Sequence, residues 1–322
     1  MSDPTQPYPL GLSMLPQIFR LTSLHVRRED HGAATLTAHL FHDRAQLKVR
    51  WTARKVDPRL CAGLLVGPRW TGPASSLDGC LRIARLAIMD RPVAALSLFD
   101  TVPPGWVRER SLVQRAHALL AELPASYQRL FHAVLWEDDR FRGFCIGPSS
   151  MHGHHNGTSG NLRHTVEVAE QVRALCAERL YVHRDLAVLS ALLHDCGKAV
   201  EYRLKPDGSW GLSDRGRLLG HRVTAIEWIA AALARWPIRL PDGHAEVLLH
   251  NLSAVAHAPR WMGLREPQTA EAEMLSLADR LSGTDDLMQR CLPDAVGWGR
   301  YHRHLGRQPF RVATTQPATG VA

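Results

Sequence analysis

The sequence predicts an α+β chain of more than one domain: a small N-terminal β-barrel, then an all-α bundle. Three observations carry that expectation. Five short alternating segments lie within about 75 residues near the N-terminus. A proline-marked break, DTVPPGW (Asp100–Trp106), follows them. Beyond the break, nearly every segment places apolar residues at helical spacing.

Residues 1–16 read as a flexible lead, polar and proline-rich, with no basic stretch ahead of an apolar core and so no secretory signal. IFRLTSLHV (Ile18–Val26), AATLTAHLF (Ala33–Phe41) and AQLKVRW (Ala45–Trp51) alternate as half-buried strands do, with EDHG and HDR as turns between them. GLLVGPRWTG and CLRIARLAI supply two more strands. Five strands over residues 17–95 fit an OB-like barrel; another small β-sheet domain is the alternative. Residues 96–110 are expected to be a linker. VRERSLVQRAHALLAEL then sets Leu112, Val113, Ala116, Leu119 and Leu120 on one helix face, and the helical region is expected over 111–310. The last residues, 311–322, end in TTQPATGVA and are expected to be disordered.

The 322-residue chain has a net charge of +8, which favours an anionic partner, nucleic acid first. Between Arg20 and Leu60 nine cations face four anions. Arg50 and Trp51 lie in that stretch as candidate contacts for a single strand; Trp51 and Trp70 either stack on bases or fill the barrel core. Six scattered cysteines, with no CxxC pair, suit reduced thiols and a cytoplasmic location. No apolar run is long enough to cross a bilayer, so no membrane is expected.

Eighteen histidines occur, and His25, His31, His39 and His183 read as ordinary surface or core residues. Others stand among apolar residues of expected helices: His164 in GNLRHTVEV, His194 and Asp195 in LLHDCGK, His221 after LLG, His250 and His257 in EVLLHNLSAVAHAP, and Asp279 in EMLSLADRL. Imidazoles and carboxylates on the inner faces of several helices make an N/O ligand set for a divalent ion. Such an ion acidifies water and polarises a phosphoryl oxygen. Lys198 is either a phosphate contact or a solvated helix-end lysine. His154 and His155, in the loop HGHHNG, either touch substrate or belong to a flexible loop.

The order of these residues resembles the HD-domain metal-dependent phosphohydrolase superfamily. LLHDCGK is similar to its LxHDxGK, GNLRHT to its GGLLEHT, and LLGH stands where a third histidine is expected. EPQTAEAEMLSLADRL resembles a stretch of the YhaM-type 3′→5′ exoribonucleases, which join an OB-fold domain to an HD domain. The likeness covers about 155–285 and reaches the barrel in architecture only. It implies that His164, His194, Asp195 and Asp279 hold one ion, with His221 and His257 available for a second. His250 is left as a possible neighbour of the ligands. Where the branch carries an SHHG-like run, this chain has AVAHAPR, so one or two ions remain open. Mn²⁺ is the first expectation, with Mg²⁺, Fe²⁺ or Ni²⁺ as alternatives, and Asp195 and Lys198 are the candidate catalytic residues.

The expected function is a metal-dependent phosphodiesterase: a 3′→5′ exonuclease on single-stranded RNA or DNA. The alternatives are an HD phosphohydrolase acting on a nucleotide or signalling nucleotide, an HD protein of mobile-element DNA processing, or a binding module without activity.

Overall fold

The structure, a computed structural model, describes residues 15–313 apart from 30, 72–75, 94–95 and 138. Of the expected lead 1–16 and the expected tail 311–322, residues 1–14 and 314–322 lie outside the described residues, while Arg311 is not disordered but pairs with Gly297 in a short ribbon. The chain forms two compact units, residues 1–146 with 224–242, and residues 147–223 with 243–322.

The first unit begins with strands β1 (Phe19–Arg28), β2 (Ala34–His42), β3 (Ala45–Ala53), β4 (Leu65–Trp70), β5 (Ser76–Leu77) and β6 (Cys80–Ile88). Their order is β3-β2-β1-β4-β6-β5, and a parallel pairing of β3 with β6, Val49 beside Leu81, closes the ring. This is the expected five-stranded, OB-like barrel, with β5 as a short addition. Alternation sends Leu47, Val49 and Trp51 of β3 inward to meet Phe19, Leu36 and Leu81. The inward turn corrects the stacking expectation for Trp51, which is 6% exposed in the barrel core. Its register on β3 leaves no open ring face. Arg50 points the other way, 3.6 Å from Asp78.

The stretch 96–110 is not an exposed linker. Leu98–Thr101 form a 3-10 turn, and Phe99, Thr101, Val102 and Val107 are buried. The Arg20 guanidinium, itself buried, donates to Thr101 Oγ1 and to Gly63 O, each at 2.8 Å. Helices α1 (Arg110–Ala121), α2 (Ala125–Leu135) and α3 (Arg140–Ile146) complete this part, and α1 buries the face the sequence predicts. Phe99, Phe131, Phe141 and Phe144 pack edge to face, tilted or stacked. The unit boundary therefore falls after Ile146, because the apolar residues of 96–146 share this core. Residues 224–242 join it: the Arg140 guanidinium sits 4.3 Å over the Trp228 ring.

The second unit carries α4 (Gly160–Cys176), α5 (Arg184–Leu193), α6 (Lys198–Glu201), strands β7 (Tyr202–Leu204) and β8 (Trp210–Leu212), and α7 (Asp214–Leu218). Then come α8 (Gly220–Arg235), whose residues from 224 belong to the first unit, α9 (His244–Ser253), α10 (Ala270–Cys291), and strands β9 (Gly297–Trp298) and β10 (Phe310–Arg311). Leu162, Val166, Ala169 and Val172 are buried on α4 as predicted. The two ribbons were not expected in an all-α region. The first turns at Asp207–Gly208, where Gly208 takes φ +79°, a conformation that costs glycine nothing. Thr269 caps α10 by accepting from Ala272 N at 3.1 Å and donates to Asn251 Oδ1 at 2.8 Å. Asn251 in turn donates to Ser190 Oγ at 3.0 Å, so α5, α9 and α10 are held together by a buried polar chain.

Candidate metal centre

Three helices meet at His164 on α4, His194 at the end of α5 and Asp279 on α10, and these three side chains form a cluster in which one ligand atom from each lies within 4.8 Å of the others. The run Leu186–Leu193 is wholly buried and fixes the end of α5. His194–Gly197 then make the turn into α6, so the His194–Asp195 pair stands just past the helix end rather than on its face. Gly197 is glycine because a Cβ there would strike the carbonyl oxygen of His221. Gly160 at the start of α4 has the same reason, with the His155 carbonyl in the way.

Hydrogen bonds set the imidazole tautomers. His194 Nδ1 lies 2.7 Å from the Ala191 carbonyl, which can only accept, so the proton is on Nδ1 and Nε2 carries a lone pair. Ser282 Oγ donates to Glu167 Oε2 at 2.8 Å, which leaves its oxygen to accept from His164 Nδ1 at 3.0 Å. His164 therefore also turns a lone pair inward from Nε2. Those two Nε2 atoms are 3.3 Å apart, and Asp279 Oδ1 is 3.0 Å from the first of them. Asp195 Oδ2 stands 3.4 Å from both.

The two imidazole lone pairs and the Asp279 oxygen converge without a donor between them, and such groups repel unless a cation sits there. Asp195 Oδ2 is buried and is met on its other side by the Lys198 ammonium at 2.5 Å. Ligands about 2.1 Å from one ion stand about 3.0 Å apart in an octahedron and about 3.4 Å apart in a tetrahedron, which brackets the observed spacing. The residues present fit a divalent ion.

The charges agree with this. Burial would raise the Asp195 carboxyl, but the Lys198 ammonium, then His194 and His221, outweigh it and hold it well below the usual carboxylate range. Burial likewise works against Asp279, yet the nearness of the His164 and His194 imidazoles brings it to about 2. Burial lowers His164, which favours the neutral, ligating form. His194 is pulled the other way: burial lowers it, but the Asp195 carboxylate wins and raises it, which marks a site that attracts positive charge.

The remaining predicted residues fall into two groups. His221 reaches Asp195 Oδ1 with Nε2 at 3.4 Å, while its Nδ1 is held by Glu201 Oε2 at 2.9 Å. Asp195 thus turns one oxygen to the His164–His194 side and the other to His221. Lys198 is buried rather than solvated and also donates to Ser149 Oγ at 3.1 Å. His154 packs on His164 with ring centroids 4.7 Å apart, and burial brings it to about 4. His155 is buried against Glu167 at 3.0 Å and Asp286 at 3.6 Å, so it braces the site instead of facing substrate. His250 is not joined to the cluster: its Nε2 accepts from Gln268 N at 2.9 Å. His257 is exposed at φ +59°, with its N–H on Glu266, and is not among the grouped ligands. Arg50 and Trp51 belong to the other unit.

Sequence reasoning missed Glu167, Ser282, Glu201 and Asp286. Glu167 sits three residues after His164 on the same helix, and Ser282 three after Asp279, which is the spacing of helix neighbours. Beside Asp279 opens a cavity of about 680 Å³, lined among others by His152, His154, Tyr202, Arg280 and Arg303.

Residues 161–284 match the family model of the HD domain. Among curated proteins, the 3′-5′ exoribonuclease YhaM of Geobacillus sp. (strain WCH70) is 27% identical over 213 residues, which is 66% of this chain and 63% of that protein. Its namesake from Listeria welshimeri is 28% identical over 170 residues, 52% of either chain, and that of Bacillus licheniformis 30% over 155 residues, 48% of either. The chain thus spans between about half and 63% of the length of these relatives. No solved structure matches it. Among the described residues no helix is long and apolar enough to cross a membrane.

Proposed function

We propose that this chain is a divalent-metal-dependent phosphodiesterase that removes nucleotides from the 3′ end of single-stranded RNA. The observation that carries the reading is the convergence of the His164 and His194 Nε2 atoms with carboxylate oxygens of Asp195 and Asp279. The name of the relatives supplies the polarity and the substrate. When bound, the ion supplies Lewis acidity toward a phosphoryl oxygen and acidifies water. The protein's own groups do the rest. Asp195 ligates and stays ionised, held by Lys198. Glu201 keeps the proton of His221 on Nδ1, so that Nε2 faces Asp195 and is free for a second ion. Mn²⁺ suits this mixed nitrogen and oxygen set.

The barrel supports a polymeric anion as substrate. Arg69 stands opposite Arg85 across β4 and β6, and Arg82 lies on the same strand, beside the Arg50 that Asp78 already meets. Like charges placed so destabilise a sheet, and a phosphate backbone relieves them.

The test is digestion of 5′-labelled single-stranded RNA and DNA by purified protein with Mn²⁺. A ladder shortening from the 3′ end of RNA is expected, lost in Asp195→Asn with the circular dichroism spectrum unchanged. Inert strands alongside rapid hydrolysis of mononucleotides would replace this reading with a nucleotide phosphohydrolase. Reversing the charge of Arg69, Arg82 and Arg85 should weaken cleavage of long strands and leave a chromogenic phosphodiester unaffected.

A further inference from the structure

We propose that Arg280 and Arg303 form a phosphate-binding subsite in the cavity beside Asp279, holding the phosphate next to the scissile one. The inference rests on the phosphodiesterase reading above and names how its substrate is gripped.

Arg280 follows the candidate ligand Asp279 on α10, and Thr284 and Leu287 continue its face along the cavity wall. Arg303 arrives from the ribbon β9–β10, which lies beyond the segment that matches the HD domain. That ribbon is firmly tied to the end of α10. Arg300 N donates to Cys291 O at 2.9 Å, Arg300 Nη2 to Arg290 O at 3.0 Å, and Arg311 Nε to Pro293 O at 2.5 Å. Gly299 lies so close to the Cys291 carbonyl that a Cβ would strike it. The tip holding Arg303 and His304 is thereby brought to the cavity.

Both guanidiniums keep donors to spare. Arg280 Nε donates to Ser276 O at 3.3 Å and Arg303 Nε to His304 Nε2 at 3.1 Å, while their terminal nitrogens form no ion pair among the described residues. The acidic groups of the wall are committed: Asp279 to the cluster, Glu201 to His221. The uncommitted charge of the cavity is positive and forked, the geometry that takes a phosphate by two parallel hydrogen bonds. Tyr202 and Leu212, on the same wall, offer an apolar surface for a base.

The probe is the dinucleotide pApA with a phosphorothioate linkage, titrated calorimetrically into Mn²⁺-loaded protein. Arg280→Ala and Arg303→Ala should each raise its Kd about fivefold, with the slope against log salt falling by about 0.7 for each phosphate that is no longer neutralised. Melting curves of the variants should match wild type, since neither guanidinium is buried. Unchanged affinity and salt slope in the double variant, or no binding by wild type, would overturn the subsite. The two ideas fail separately. A wild type that shortens RNA while the double variant binds pApA normally removes only the subsite. Inert RNA with arginine-dependent pApA binding removes only the nuclease reading.

Discussion

Ser282 touches no expected ligand of the ion other than His164, yet its hydroxyl decides which nitrogen of that imidazole carries the proton. It donates to Glu167 at 2.8 Å and so must accept from His164 Nδ1. In Ser282→Ala, the His164 Nδ1–H loses its acceptor in a position with no solvent exposure. A buried donor left without a partner costs about 1–3 kcal/mol, and the imidazole can recover part of that by moving its proton to Nε2, the ligating atom. Loss of such an outer partner lowers metal affinity about 10–100-fold, equivalent to about 1.4–2.8 kcal/mol. Glu167→Gln tests the same logic without opening a cavity, because the amide can donate to Ser282 and reverse the direction of the chain. The assay is calorimetric titration with Mn²⁺ at pH 7.5, with thermal melts of the metal-free proteins alongside. Both variants should bind Mn²⁺ at least about tenfold more weakly. Wild-type affinity in both would refute the tautomer argument, whatever happened to the melts.

Three further outcomes follow from the structure. Gly197→Ala should displace the backbone of His221 and depress metal binding and activity, while Gly157→Ala, where a Cβ meets nothing within 4 Å, should be silent in the same assays. His132 is buried with an unpartnered Nε2, and burial brings it to about 4. Its folded pKa lies below the unfolded value near 6.5, so the neutral form's stabilisation is complete above that pH and is lost as pH falls toward 4, about 3 kcal/mol in all. Urea melts of wild type and His132→Leu across that range should show the acid limb flattened in the variant; parallel limbs would exclude His132 as its source. Trp51→Ala should cost about 3–5 kcal/mol of stability as a core truncation, with oligonucleotide affinity per folded molecule unchanged; selective loss of affinity in a stable variant would restore the stacking role.

Much was legible without coordinates. Strands alternate with period two, and the five expected segments became β1–β4 and β6 with ends shifted by at most two residues. The α1 and α4 faces follow from period 3.6 alone. Spacing could not reveal that 96–110 is packed, because DTVPPGW carries break signals and its apolar residues are scattered. Nor could it fix the inward side of β3: Trp51 shares a face with Leu47 and Val49, but a register one residue out would send all three to solvent.

For the site, the sequence by itself determined the chemistry on offer: imidazoles and carboxylates set among leucines, valines and alanines, and glycines where the backbone must approach closely. Only the tertiary structure decided which of them meet. Local patterns fix the direction of a side chain on its own helix, while convergence depends on how α4, α5 and α10 pack. That packing gathers His164, His194, Asp195 and Asp279, brings His221 to the far oxygen of Asp195, and leaves His257 exposed on a turn. It also hands the proton of His164 to a serine and a glutamate whose role no spacing announces, because a tautomer is set by contacts between helices and not along one.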